Sequence, residues 1–108
     1  MSDVVCEREF NTTIDGVVRS IKVSWDRPQQ DRGDWRCEHR IVWPDGTATT
    51  GYGVGVDSAG ALLLAMKQVS AILYLTQPAV FRYEPDDILD LPILSNVQDL
   101  EDARTKGR

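Results

Sequence analysis

Two stretches of this chain carry residue types from which chemistry could be built. Cys37 and His39, in "WRCEHRIVW", stand two apart, and a thiol beside an imidazole is the raw material of a nucleophile and its base. On a strand, however, residues i and i+2 share a face at about 6–7 Å, beyond hydrogen-bond reach. The expected role is a core thiol beside a hydrogen-bonded histidine. Cys6, Cys37 and His39 lack both the C-x-x-C spacing and the fourth ligand of a zinc site, so no metal is expected. The second stretch, "GYGVGVDSAG" (51–60), brings three alternating glycines to the start of an apolar run. A phosphate cradle needs backbone N–H groups at a helix N-terminus with Lys and Ser/Thr, or G-x-G-x-x-G in a βαβ unit. Here the spacing is G-x-G-x-G in a hairpin, and Asp57 puts a carboxylate where the phosphate would sit. No cofactor is expected. The glycines are expected to leave a flat groove for the backbone of the C-terminal segment or of a partner.

Charge is the third resource. "DDILD" (86–90) has the shape of the D-D-x-x-D of terpene synthases, which are far larger all-helical proteins, so its contribution is expected to be charge alone. From Glu84 to Asp102 there are seven acidic residues and no basic one, in a chain whose 12 Lys and Arg face 17 Asp and Glu for a net charge of -5. That balance argues against general nucleic-acid binding, which needs clustered Lys and Arg. It suits a protein partner with a basic surface. The candidate partner-binding residues are Glu84, Asp86, Asp87 and Asp90, with Arg36 and Arg40 on an exposed strand face.

The elements that must position these groups follow from turn signals and periodicity. Asp15-Gly16 and Asp45-Gly46 each lie between alternating apolar and polar residues, the pattern of a β-hairpin. A two-residue turn at Asp15-Gly16 pairs Ile14 with Val17, Phe10 with Ile21, Arg8 with Val23 and Cys6 with Trp25. The same turn at Asp45-Gly46 pairs Trp43 with Ala48, Ile41 with Thr50, His39 with Tyr52, Cys37 with Val54 and Trp35 with Val56. The opposite face then sets Arg36, Glu38 and Arg40 against Gly51, Gly53 and Gly55. With the polar stretch "DRPQQDRG" (26–33) as a linker, this predicts a four-stranded antiparallel meander, at about 4–14, 17–26, 34–43 and 47–56.

Asp57 and Ser58 offer N-cap oxygens, and the run to Pro78 reads as a helix. Its apolar stripe, Ala59, Leu62, Leu63, Met66, Val69, Ile72 and Leu73, would pack on the sheet. The fold expected is therefore α+β: the meander packed on one long helix, with a C-terminal extension. Residues 1–94 form a single domain, and 95–108 a polar tail whose few apolar groups allow it to be disordered. The far side of the helix, with Leu64 and Tyr74, is greasier than a solvated helix needs. It is expected to be covered by 79–94 folding back, or by a second copy with Leu64 and Tyr74 in a dimer interface. Arg8 and Arg19 fall on the inner face against the pattern, either snorkelling to water or binding carboxylates of the C-terminal run.

The two cysteines do not read as a disulfide framework. The N-terminus has neither a basic n-region nor an apolar h-region, and no apolar run reaches bilayer length, so the expectation is a cytoplasmic protein without membrane contact.

Trp35, Cys37, Gly53, Gly55, Asp57, Ser58, Ala61, Leu62 and Ala65 together make a W-x-C strand followed by G-x-D-S-x-x-A-L-x-x-A leading into a helix. In this the chain resembles a family of small bacterial domains of unknown function. The resemblance covers about 35–75. It implies the fold and a bacterial or phage origin, and supplies no activity and no site residues.

Two functions from different classes are compatible with this reading. One is a non-catalytic acidic interaction module that binds a protein, in the manner of an immunity or phage anti-defence inhibitor. The alternative is a small-molecule-binding protein or minor enzyme with a pocket around Trp35, Cys37, His39 and Tyr52.

Overall fold

The computed structural model describes residues 3–94 and 98–106. Strands β1 (Val4–Ile14) and β2 (Val17–Asp26) are antiparallel and joined by Asp15 and Gly16. Both turn residues have positive φ, 52° and 79°, as a two-residue type I′ turn requires. Ile14 faces Val17, Phe10 faces Ile21, Arg8 faces Val23 and Cys6 faces Trp25, the register expected, until an irregularity between Val4 and Cys6.

The second hairpin departs from expectation by one residue. Trp43 N donates to Thr47 O (2.8 Å) and Gly46 N to Trp43 O (2.9 Å), so Pro44, Asp45 and Gly46 make a three-residue loop. Proline suits the first corner of a type I turn, and Gly46, at φ 88°, takes the left-handed bulge position that follows it. The added loop residue slips β4 (Asp34–Val42) along β5 (Ala48–Gly55). Trp35 faces Gly55, Cys37 faces Gly53, His39 faces Gly51 and Ile41 faces Thr49. The expected pairs of His39 with Tyr52 and Cys37 with Val54 are not formed. Because side chains alternate, a one-residue slip exchanges the faces of a whole strand. Tyr52 and Val54 join Arg36, Glu38 and Arg40, and the glycines join Cys37 and His39.

The sheet has six strands rather than four. Across it run β6, β1, β2, β4 and β5, where β6 is Val80–Phe81, antiparallel to β1. The extra short strand β3 (Gln29–Asp31) lies within the expected linker and pairs with β4 beyond the end of β2. Its turn uses Arg32 and Gly33, both at positive φ.

Helix α1 spans Ser58–Tyr74, and the Asp57 carboxylate caps it by accepting from Gly60 N at 2.6 Å. The face it buries is rotated from the expected one: Val69 and Leu73 of the expected stripe are buried and Leu62, Met66 and Ile72 pack half-buried against the core, but Ala59 and Leu63 turn outward. Ala61, Ala65, Val69, Ser70, Leu73 and Tyr74 are buried, whereas Leu63 is 44% exposed. The glycines explain the rotation. A Cβ on Gly53 would lie 2.6 Å from Ala65 N and 2.9 Å from Ala61 O, so the helix backbone rests on the strand with only alanines between. The groove left by the glycines is filled by α1 itself, not by the C-terminal segment or a partner.

Residues 78–94 form a strap over the inner face of β1 and β2. Thr12 Oγ1 donates to the carbonyls of Pro78 (3.2 Å) and Ala79 (3.1 Å), and Arg8 Nη1 to those of Leu89 (3.1 Å) and Asp90 (2.8 Å). Arg8 thus binds backbone carbonyls of the C-terminal run rather than its carboxylates, and Arg19 is exposed. Leu89 sits fully buried in a core with Phe10, Ile21, Val23, Trp25, Ile41 and Leu73. Within the expected tail, Gln98–Lys106 is a short helix, α2. Its Arg104 donates to the carbonyls of Val80 and Asp87, both at 2.8 Å. Residues 95–97, 107 and 108 of the tail lie outside the described residues. Among those described, no helix is long and apolar enough to cross a membrane.

Candidate functional site

Cys37 and His39 point inward from β4, which has β2 and β3 on one side and β5 on the other. Cys37 is completely buried, and its Sγ donates to the Asp26 carbonyl at 3.3 Å. Burial, and then the nearby Cys6, Asp26 and Glu38, push its thiol up to about 11. Such a thiol is protonated at neutral pH and unreactive. Cys6 is also free, half-buried, and raised by burial, with Arg8 opposing.

His39 lies in a row between Trp25 and Gly51. A Cβ on Gly51 would sit 2.7 Å from the imidazole Cε1, so the glycine makes room for the ring. Its Nε2 lies 3.1 Å from Gln68 Oε1 on α1. With that oxygen as acceptor, Nε2 carries the hydrogen and Nδ1 is bare, and Nδ1 has no partner among the described residues. Burial lowers the histidine pKa below 6.5 against the smaller opposing effect of the Gln68 contact.

The unfolded chain therefore takes up a proton that the native state refuses. The stability His39 allows is complete above about pH 6.5 and falls as pH drops through the window below it. Urea midpoints measured from pH 7.5 to 5 should decline more steeply for the natural chain than for His39→Gln. Parallel profiles would show that the imidazole is not held neutral.

The pocket expected from Trp35, Cys37, His39 and Tyr52 is not assembled. Trp35, Cys37 and His39 share the inner face under α1, while Tyr52 stands on the outer face, 48% exposed. Among the described residues, no group of three or more His, Cys, Asp or Glu is placed to hold a metal ion. The dimer candidates also separate. Tyr74 is only 5% exposed, with its hydroxyl receiving Leu89 N (3.0 Å) and donating to Glu101 Oε2 (3.0 Å). Its interface is with the strap and α2, as one of the two sequence expectations had it, and Leu64 is half-buried.

Two surfaces remain. The outer face of the sheet carries no covering layer among the described residues. There the Arg36 guanidinium stacks 3.7 Å from the Tyr52 ring centroid and pairs with Glu38 at 3.3 Å. Beside them a groove of about 470 Å³ is lined by Asp3, Asp26, Arg27, Asp31, Arg36 and Glu38 among others. Arg27 pairs with Asp3 at 2.6 Å. Asp26 is raised by partial burial, and then by Glu38 and Asp3. Arg40 is exposed on the same face.

The acidic residues of the strap form the second surface. The Asp87 carboxylate accepts from the backbone N–H of Tyr83 (2.9 Å) and Glu84 (2.8 Å), closing a turn. Asp90 pairs with Arg82 at 3.1 Å. Glu84 and Asp86 are exposed on that turn. The residues grouped from the sequence as one partner-binding set thus form two: Arg36 and Arg40 on the outer face, and the four acids on the strap across the inner face. The anchors Arg8, Tyr74, Leu89 and Arg104 were not singled out as a set. Two sequence signals pointed towards them: Arg8's position against the alternation, and the apolar helix side at Tyr74 that 79–94 was expected to cover.

No curated protein and no solved structure matches the chain. The model of a family described as "Domain of unknown function (DUF6968)" matches residues 6–80, from the third residue of β1 through β5 and α1 to the first residue of β6. The chain belongs to this family of domains of unknown function.

Proposed function

We propose that the chain is a non-catalytic interaction module that binds a protein with a basic surface, in the manner of an immunity or phage anti-defence inhibitor. One observation carries the reading: the acidic turn is presented on a braced backbone. Arg8 and Arg104 hold the carbonyls of Asp87, Leu89 and Asp90, and Tyr74 holds Leu89 N. Glu84 and Asp86 therefore stand exposed on a fixed frame, and a preorganised charge pattern binds at less entropic cost than a flexible tail. Their charge would steer a cationic surface into contact. The alternative of a pocket around His39 loses support because its four residues lie on two faces of the sheet.

Glu84→Lys with Asp86→Lys tests the proposal, since neither side chain holds the turn together. In an affinity pull-down from a bacterial lysate, the natural chain should retain a stoichiometric protein. The double variant should hold that protein about tenfold more weakly or worse, with a melting temperature lowered only by the small cost of a lysine at the positive φ of 77° at position 86. Equal retention by both would remove the strap from the binding surface.

A further inference from the structure

On the outer face of the sheet, three strands bring three hydrogen-bond donors into one row. Ser24 of β2 faces Arg40 of β4, and Arg40 faces Thr50 of β5. Neighbouring strands are about 4.8 Å apart, so the guanidinium stands between two hydroxyls. None of the three side chains has a hydrogen bond or ion pair among the described residues. Alternation places the next row of that face two residues along, about 6–7 Å away. It holds Asp26 on β2, Glu38 on β4 and Tyr52 on β5, with Glu38 facing Tyr52.

The charges of the two rows do not cancel one another. Glu38 is taken from its other side by Arg36, at 3.3 Å. Asp26 has no ion pair among the described residues. Partial burial, then Glu38 and Asp3, raise its carboxyl, as expected of an anion that lacks a cation. Arg40 is a cation that lacks an anion. Both line a groove of about 460 Å³ with Ser24, Glu38, Thr50 and Tyr52, a volume within the range of small-ligand sites.

Charge selects what the groove can hold. An anion alone would meet two carboxylates, and a cation alone would meet Arg36 and Arg40. A molecule that carries both charges close together satisfies both rows. An ammonium and a carboxylate on one carbon stand about 2.5 Å apart. With a charge-assisted hydrogen bond of about 2.8 Å at either end, they reach across the gap between the rows. The end of a peptide chain carries only one of the two charges, so the fit is to the free zwitterion. Tyr52 reads what else the carbon bears. The Arg36 guanidinium covers one face of its ring, 3.7 Å from the centroid, and the residue is 48% exposed, which leaves the other face for an apolar or aromatic group.

We infer that this groove is a binding site for a free α-amino acid with an apolar or aromatic side chain, its carboxylate on Arg40, Ser24 and Thr50 and its ammonium on Asp26 and Glu38. The site goes beyond the interaction reading above and is independent of it, because the strap lies across the opposite face of the sheet.

The test titrates the full-length, isotope-labelled chain with L-phenylalanine and L-leucine and follows the backbone amides by NMR. Those of Ser24, Arg40, Thr50 and Tyr52 should shift with a dissociation constant of about 1 mM or tighter. N-acetyl-L-phenylalanine lacks the ammonium and L-phenylalaninamide lacks the carboxylate. Each should bind about tenfold more weakly or worse. Arg40→Gln should erase the difference between phenylalanine and its amide and keep that against the N-acetyl form. Asp26→Asn should do the converse. Both side chains stand on the outer face, so the amides of the buried residues in β2 and β4 should be unmoved in either variant, and their unchanged positions certify the fold.

Failure of both amino acids to move the four amides at about 10 mM would overturn the proposal. So would equal binding of phenylalanine and its two blocked forms, or differences that neither variant alters. Shifts of the same amides on raising the protein concentration alone would assign the groove to self-association and remove the amino-acid site.

Discussion

Gly53→Val lowers the stability of the chain by about 3 kcal/mol or more and lifts α1 from the sheet. The added Cβ would meet Ala65 N at 2.6 Å and Ala61 O at 2.9 Å, and both are backbone atoms of a helix that cannot step aside like a side chain. Relief requires α1 to move away from β5. That separates Ala61 and Ala65, both fully buried, from the strand and opens space around Gln68 and His39. Urea unfolding measures the loss, and the exchange rates of the α1 amides locate it. A valine variant of natural stability would mean that the helix is not seated on the glycine row.

Leu89→Ala is the second large effect. Leu89 is fully buried and is the apolar anchor of the strap. Removing such a side chain costs about 2–5 kcal/mol, depending on how far the site collapses. The cost here should be accompanied by local release. Leu89 N is bound to the Tyr74 hydroxyl and Leu89 O to Arg8, so a strap that lifts gives up polar anchors together with the apolar one. Limited proteolysis should cut the variant between about 82 and 94 faster than the natural chain, while the amides of β2 and β4 stay protected. Unchanged cleavage would show that polar bonds alone fix the strap. Because the family match ends at Val80, the experiment also asks whether the matched unit keeps its fold when the segment beyond it is loosened. The acidic turn would lose its frame in this variant, and the partner binding proposed for Glu84 and Asp86 should weaken with it.

Much of the frame was legible in the sequence, and the reasons are local. Asp15-Gly16 supplies two residues that tolerate positive φ, and the alternation on either side of it tolerates one register only, so the first hairpin was readable pair by pair. Asp57 marks the start of α1 because its carboxylate can reach an N–H of the first turn. The acidic run at 84–102 was visible as charge.

What tertiary structure decided begins with one residue of loop length. Pro44 joined Asp45-Gly46 in the second turn, and the period of two in a strand turned that single step into an exchange of faces. His39 and Tyr52, read as facing each other, were separated by it, and the candidate pocket with them. The glycines moved to the inside at the same step. There they did what composition alone does not reveal, drawing the alanines of α1 onto the sheet and turning Leu63 outward. Tyr74, whose side of the helix the sequence left to be covered by either residues 79–94 or a second copy, is covered by the strap, whose anchoring depends on Arg8, more than sixty positions earlier in the chain. Short-range signals specify turns, caps and alternation because their energetics involve neighbouring residues. Which face is buried, which edge stays open and where the acids are held depend on contacts between residues far apart in sequence, and only the packed chain brings those together.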